Sequence, residues 1–308
     1  MADEHLPELT RHYEHFIWNS ARWEGFKHRD DDILICTAYK AGTTWMQRIC
    51  SLLVFQTPEL EQPLTTYSPW LEINGQPIEK LRADYEAQTH RRFIKTHTPL
   101  DGLPYRREAT YLFVARDPRD IFMSMLNHME NSNDAAGEVL QANSTRSRVE
   151  LDEMPTDLAS MLRAWLTTGC FDWEEDGWPF WSLFSHATSF WKFRTLPNIH
   201  LVHYGDLVRD LDGEMRRISS VLGVAVNEEI WPSLVEAARF GAMKSAADQM
   251  APDVDWGGWK DNSRFFNQGG SGRWKTAFSD DDLAFYEEAV ARKLPKDLRR
   301  WLHEGGGF

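Results

Sequence analysis

Cysteine and long apolar runs are both scarce in this chain. It has three cysteines, Cys36, Cys50 and Cys170, and none of them pairs at CxxC spacing. An odd number of separated cysteines argues against a disulfide framework or a zinc site and favours a reducing compartment. No apolar run approaches the roughly 18 residues that span a bilayer, and the polar start MADEHLPELT has no signal-peptide core. We therefore expect a soluble, cytoplasmic protein with no membrane partner.

Positive charge is also scarce. The 308 residues include 34 lysines and arginines against 47 aspartates and glutamates, which gives a net charge of −13. Because no long basic tract exists, we expect no nucleic-acid partner. An anionic ligand must instead be held by a local group of cations. Hydrophobic residues make up 42% of the chain, which is enough for a large core.

Short apolar runs alternate along the chain with segments of helical periodicity. Four runs predict buried strands: ILICT (33–37), RRFIKTH (91–97), YLFVAR (111–116) and NIHLVHY (198–204). Helices are predicted within 1–30 and at 43–56, 77–88, 117–130, 185–196, 210–222 and 280–292. This alternation predicts an α/β fold in a single domain over residues 1–308, with a central parallel sheet flanked by helices.

Polar side chains stand at or just beyond the end of each predicted strand. Lys40 follows the first strand, and Tyr204 ends the fourth. His97 and Arg116 end the second and third strands. The carboxyl ends of parallel strands meet at one edge, where ligands of such sheets bind. The sequence therefore predicts a functional site at this edge.

The turn after the first strand, TAYKAGTTW (37–45), has features of a phosphate-binding loop. Gly42 permits a tight turn, and Lys40 supplies a full positive charge. Thr43 and Thr44 open a helix whose free N–H groups attract anions. The nucleoside-triphosphate pattern GxxxxGK[ST] is absent, because the lysine here precedes the glycine. A merely solvated lysine and a P-loop-type kinase remain alternatives from these residues alone.

Four segments, in matching order and spacing, resemble motifs of the cytosolic sulfotransferase family. They are TAYKAGTTW (37–45), IKTH (94–97), VARDPRDIFMS (114–124) and FFNQGGSGRWKTAF (265–278). The first is similar to the family's TYPKSGTTW loop and departs from it at Ala38 and Ala41. The resemblance implies a P-loop-like, three-layer sulfotransferase fold. It also implies transfer of the sulfonate of 3'-phosphoadenosine-5'-phosphosulfate (PAPS) to a hydroxyl or amine of a small, apolar or aromatic acceptor.

The resemblance assigns the chemistry to three residues. It implies that His97 is the general base, that Lys95 lies near the transferring sulfonate, and that Lys40 neutralises the leaving phosphate oxygen. Lys95 and His97 are two residues apart on one predicted strand, so their side chains share a face. A histidine suits proton abstraction because it ionises near neutral pH. No metal is expected.

The resemblance also outlines a cofactor site. It implies that the 5'-phosphate is held by Lys40, Ala41, Gly42, Thr43 and Thr44. The implied neighbours of the adenine are Trp45, Phe240 and Tyr204. The implied contacts of the 3'-phosphate are Arg116, Ser124, Asn267, Gln268 and Gly269.

The segment FFNQGGSGRWKTAF (265–278) departs from the family. The family usually has Arg-Lys-Gly where this chain has Asn267, Gln268 and Gly269. Two positive charges are missing, and hydrogen bonds to charged groups contribute about 1.5–3 kcal/mol each. Arg264 and Arg273 are the candidates to replace them. A nucleotide-binding homologue without turnover is a further alternative. The family's KxxxTVxxxE dimer motif is absent, so the oligomeric state stays open.

The acceptor pocket is less sharply defined by the sequence. Aromatic richness and the family's usual pocket segments give as candidate walls Phe16, Trp18, Trp70, Phe122, Trp165, Phe180 and Trp181. Three further histidines, His128, His186 and His203, are interpreted as residues without a functional role.

Overall fold

Four parallel strands form one sheet within the part of the chain that the computed structural model describes, residues 5–133, 155–252, 258–266 and 269–307. The strands are β1 (Ile33–Thr37), β2 (Phe93–Thr96), β3 (Thr110–Ala115) and β4 (Ile199–His203). Their spatial order is β2-β1-β3-β4, and every neighbouring pair is parallel. Each strand lies within or overlaps a run predicted from the sequence, and the central parallel sheet is confirmed.

Helices connect and cover the strands. Before β4 they are α1 (Thr43–Phe55), α2 (Leu64–Tyr67), α3 (Ile78–Ala87), α4 (Pro118–Asn131), α5 (Leu158–Thr167) and α6 (Leu183–Trp191). After β4 they are α7 (Tyr204–Arg209), α8 (Leu211–Val221), α9 (Trp231–Ala237), α10 (Phe240–Ser245), α11 (Ala247–Met250), α12 (Asn262–Phe265), α13 (Trp274–Ala277), α14 (Asp280–Lys293) and α15 (Lys296–Glu304). Within the described residues, no helix combines the length and apolar character needed to cross a membrane.

The sheet is covered on both faces, because successive residues of each strand enter two separate hydrophobic clusters. On one face Leu34 of β1 belongs to the same cluster as Phe113 of β3. On the other face Ile35 belongs to the same cluster as Val114. A strand that is buried on both sides has no polar face, which explains why ILICT reads as a continuous apolar run. The result is the predicted arrangement of helices, sheet and helices.

The N-terminal segment is not helical, so the helix predicted within residues 1–30 is wrong. From residue 5 to residue 30 the chain is irregular apart from a short 3-10 helix, Ser20–Trp23. Tyr13 and Trp18 in this segment are fully buried and pack in the main hydrophobic cluster. Tertiary packing of single aromatic residues, and not a helical face, accounts for the apolar positions here.

Nine of the described helices were not predicted from the sequence, and the two longest of them are α5 and α15. The first is α5, which begins after Asp157, whose side chain accepts a hydrogen bond from the Ser160 N–H at 2.9 Å. The second is α15, which follows the predicted last helix after only two residues. Its buried residues Leu298, Trp301 and Leu302 lie on one face, at the spacing of an amphipathic helix. Its short length and strongly charged remainder hide this pattern in the sequence.

Candidate active site

A cavity of about 800 Å³ opens at the carboxyl edge of the sheet. One residue from the end of each strand lines it: Lys40, His97, Arg116 and Tyr204. The cavity is also lined by other residues singled out from the sequence, namely Gly42, Thr43, Thr44, Trp45, Lys95, Ser124, Phe240 and Gly269. Ala41 is buried in the hydrophobic core below the turn. Asn267 and Gln268 lie outside the described residues.

The turn between β1 and α1 has an unusual backbone. Lys40 has φ 59° and Gly42 has φ 117°, both in the left-handed region. A Cβ atom at Gly42 would lie 3.0 Å from Cδ2 of Tyr204, so the turn approaches that ring as closely as a glycine allows. No side chain caps α1, and its first N–H groups therefore remain available to an anion. A non-glycine residue with positive φ, such as Lys40, is strained, and such residues often occur in ligand-binding turns.

Lys40 is half-buried and has no carboxylate partner among the described residues. Its Nζ lies 3.2 Å from Nδ1 of His128 and 4.3 Å from the ring centroid of Phe265. Burial, and to a smaller extent the charge of Arg116, lowers the pKa of Lys40 to about 7. Binding of an anion next to this lysine is therefore favourable, because the anion stabilises the charged form of the side chain.

His97 stands between two indole rings. Its ring centroid is 4.9 Å from that of Trp70 and 5.4 Å from that of Trp181. Nδ1 lies 2.8 Å from the carbonyl oxygen of Thr37, and since a carbonyl only accepts, Nδ1 carries the hydrogen. Nε2 is then the basic atom. Burial is the main cause that lowers the pKa of His97 to about 3, so the imidazole is neutral at pH 7, as a general base must be.

Glu72 lies behind the cavity lining and holds His97 and Trp70 through hydrogen bonds. The carboxylate is fully buried and accepts the backbone N–H of His97 at 3.0 Å and the indole N–H of Trp70 at 2.7 Å. It also accepts hydrogen bonds from Trp23, Thr96 and Thr98. All five partners are donors, so the buried charge is fully satisfied. A lone acidic residue in the apolar segment PWLEI (69–73) was the available sequence signal.

Arg116 reaches across the other end of the cavity. Its guanidinium carbon lies 4.2 Å from the ring centroid of Tyr204, and Nη2 donates to the carbonyl of Gly270 at 2.9 Å. Its Nε is buried and has no hydrogen-bond partner among the described residues. A buried donor without a partner fits an anionic ligand that completes the set of hydrogen bonds.

The two candidate replacement arginines occupy different places. Arg273 lines the cavity, and its backbone N–H and that of Gly272 are held by the carboxylate of Asp120, the latter at 2.8 Å. Arg264 pairs instead with Glu130 at 3.2 Å, on the surface, and does not line the cavity. The structure therefore favours Arg273 over Arg264 as a neighbour of Arg116.

A family model described as a sulfotransferase domain matches residues 30–298. This chain belongs to the sulfotransferase family. It is 38% identical to a glycolipid sulfotransferase of Mycobacterium bovis, over 99% of this chain and 98% of that protein. It is 28% identical to cytosolic sulfotransferase 1 of Danio rerio, over 91% of this chain and 88% of that protein.

Solved sulfotransferase structures share the fold. The mouse sulfotransferase SULT7A1, crystallised with 3'-phosphoadenosine-5'-phosphate (PAP), superposes with a TM-score of 0.67 at 20% identity and covers 92% of both chains. Retinol dehydratase in a complex with retinol and PAP superposes with a TM-score of 0.69 at 20% identity, over 90% of this chain and 85% of that one. The three-layer sulfotransferase fold expected from the sequence is confirmed.

The aromatic walls of this sulfotransferase differ in part from expectation. Of the seven candidates, Trp70, Phe180 and Trp181 line the cavity. The other four do not line it and are buried: Phe16, Trp18, Phe122 and Trp165. On the opposite side, Trp45 donates its indole N–H to the carbonyl of Ala238 at 2.8 Å, and its ring lies 5.0 Å from that of Tyr204.

His128 was expected to have no functional role, yet it lines the cavity of this sulfotransferase and contacts Lys40. His186 and His203 are buried and do not line the cavity. Lys40 and His128 are 88 residues apart in the sequence, so their contact could not be predicted from the local sequence pattern.

Proposed function

We propose that this sulfotransferase moves the sulfonate of PAPS to a hydroxyl or amine of a small acceptor with an apolar or aromatic body. The observation that carries the proposal is the placement, in one cavity, of a neutral histidine whose Nε2 is the basic atom and a half-buried lysine that no described carboxylate neutralises. The first matches a base for the acceptor proton. The second matches a binding group for a phosphate.

When PAPS is bound, it supplies the sulfonate and a phosphate leaving group. Three residues of the chain then have a role in the proposed reaction. Lys40 and the N–H groups at the start of α1 stabilise the negative charge that develops on that phosphate. His97 takes the acceptor proton on Nε2 while the acceptor atom forms its bond to sulfur and the sulfur–phosphate oxygen bond breaks. Lys95 lies in β2, two residues before His97, and is assigned to the transferring sulfonate.

The rest of the cavity suits the nucleotide. Trp45, Tyr204 and Phe240 form an aromatic group that we assign to the adenine. Arg116 and Ser124 are assigned to the 3'-phosphate, which would complete the unsatisfied Nε of the arginine. The PAP complexes of the mouse sulfotransferase and of retinol dehydratase support this choice of nucleotide.

The acceptor is assigned to the aromatic end of the cavity. Trp70 and Trp181 flank the proposed base, and Phe180 continues the apolar wall. Such walls suit a ring or an alkyl body with a single reactive hydroxyl or amine. The mycobacterial relatives are called glycolipid sulfotransferases, which supports the inclusion of glycolipids beside simple phenols in an acceptor screen.

Calorimetric titration with PAP, beside ATP plus magnesium, tests the proposal. We expect PAP to bind with at least micromolar affinity and ATP with magnesium to bind far more weakly. Radiolabelled PAPS then gives the transfer rate with 2-naphthol and with a glycolipid mixture. Binding of ATP alone would favour a P-loop-type kinase. PAP binding with no transfer to any acceptor would favour a nucleotide-binding homologue without turnover.

A further inference from the structure

His128 stands at the boundary between the two halves of the cavity. It lies in α4, one turn beyond Ser124, and its ring centroid is 4.7 Å from that of Trp259 and 6.4 Å from that of Phe180. Its Nδ1 is 3.2 Å from Nζ of Lys40. One face of the histidine therefore borders the aromatic acceptor end of the cavity. One ring nitrogen reaches Lys40, which lies in the turn between β1 and α1, called the phosphate turn below.

The contact with Lys40 has a defined polarity. Burial, followed by the charges of Lys40 and His97, holds the pKa of His128 well below its usual range, so the ring is neutral. When Lys40 is protonated, its ammonium group only donates, so the imidazole nitrogen that faces it accepts. The lysine side chain is thus held by a neutral acceptor and by the ring of Phe265, at 4.3 Å, and by no carboxylate of the described residues.

A neutral acceptor is a weak partner for a cation that is largely removed from water. A phosphate carries a full negative charge and accepts shorter, stronger hydrogen bonds. The lysine therefore binds a phosphate in preference to the histidine when both are within reach. Lys40 lies in the turn between β1 and α1, whereas His128 lies in α4 and packs against Trp259. The ammonium group has three N–H donors, so the phosphate and the histidine compete for the one that faces Nδ1 of His128.

We propose that His128 is a positioning residue that holds Lys40 until the cofactor phosphate takes it over, and that it thereby limits cofactor affinity. The inference rests on the proposed function, because the phosphate in question is that of PAPS. On this proposal the Lys40–His128 hydrogen bond is lost when the nucleotide binds, so its free energy is subtracted from the binding of the nucleotide. Exchange also frees Nδ1 of His128 at the acceptor end, where a hydroxyl can use it.

The test compares two substitutions in calorimetric titrations with PAP. His128→Phe keeps a ring of similar size but removes the acceptor atom, and we expect PAP to bind about tenfold more tightly. His128→Asn places an amide group near the Nδ1 position and should stay close to wild type. A purely structural role predicts weaker binding in both variants. If His128→Phe does not fold, as judged by thermal melting, His128→Gln takes its place, because its amide is displaced from the Nδ1 position.

A double-substitution cycle with Lys40→Met isolates the pair. In the methionine background the tightening by His128→Phe should disappear, because no lysine remains to be released. An equal gain in both backgrounds, or no gain in the wild-type background, overturns the proposal. The two levels of inference stay separable: wild-type protein that fails to bind PAP refutes the proposed function, whereas wild-type binding without tightening in His128→Phe refutes only the role of His128.

Discussion

The backbone N–H of His97 donates to the Glu72 carboxylate at 3.0 Å. Through Glu72 the proposed base is joined to the indole of Trp70, which donates to the same carboxylate at 2.7 Å and packs edge-on against the imidazole. The base and one wall of the acceptor end are therefore held by a single buried group. The geometry of the reaction centre depends on this group even though it does not line the cavity.

The first prediction concerns Glu72→Gln. The amide would present an N–H₂ group to partners that all donate, which leaves buried donors unsatisfied. We expect a loss of about 1–3 kcal/mol in the free energy of unfolding, measured by denaturant titration, and a fall in kcat with 2-naphthol. Thr98→Val removes only one of the five donors and should cost less. Wild-type stability in Glu72→Gln would contradict the assigned hydrogen bonds.

The second prediction tests the base. His97→Ala should lower kcat by at least about 100-fold, which is the lower end of what general base catalysis contributes. PAP affinity, measured by calorimetry, should stay close to wild type because the imidazole is not assigned to the nucleotide. His200→Ala is the matched control, since His200 lies on β4 away from the cavity. Sulfated product formed at the wild-type rate by His97→Ala would remove the residue from the mechanism.

The third prediction follows from the pKa of Lys40, about 7 in this structure. A bound phosphate stabilises the ammonium form and raises that pKa, so above pH 7 nucleotide binding must take up a proton. PAP affinity should therefore fall as the pH rises from 7 to 9, with a limiting slope of about one decade per pH unit. Calorimetry at pH 8 in two buffers of different ionisation enthalpy measures the uptake. Lys40→Arg should abolish it, because arginine stays charged.

The fourth prediction separates Arg273 and Arg264, the two candidates to bind the 3'-phosphate in the proposed function. Arg273→Ala should weaken PAP binding about tenfold, as expected for loss of one charged hydrogen bond. Arg264→Ala should leave it unchanged, because Arg264 pairs with Glu130 outside the cavity. Equal effects in the two variants would mean that long-range charge, and not a direct contact, acts on the nucleotide; in that case the difference in affinity from wild type should shrink at high salt.

The fifth prediction rests on the sequence, since residue 267 lies outside the described residues. Asn267→Arg restores a charge that the family usually has at this place, and PAP should bind more tightly by about tenfold. Asn262→Arg makes the same change in charge on α12, outside the cavity lining, and serves as the control. Unchanged or weaker binding in Asn267→Arg would count against the matched segment at 265–278.

The sequence predicted the placement of those parts of the candidate site that depend on local patterns. The strands, the phosphate turn and the residues that end each strand follow from apolar runs, a glycine and the parallel-sheet rule. Glu72 and His128 could not be found in this way, because their roles depend on contacts with residues distant in the chain. The same limit explains the buried Trp18 and Trp165: composition does not distinguish an aromatic residue of the core from one that faces a ligand.

The loop that carries Gly270 is tied to Arg116 by a hydrogen bond between residues 154 positions apart. Together with the contribution of all four strands to one cavity, this means that the site exists only when nearly the whole chain has folded. Contacts of such sequence separation form late, because they require large loops to close. Recovery of PAP binding during refolding should consequently lag behind recovery of helical circular dichroism. With the proposed function, PAP binding would therefore report the assembly of this cavity during folding.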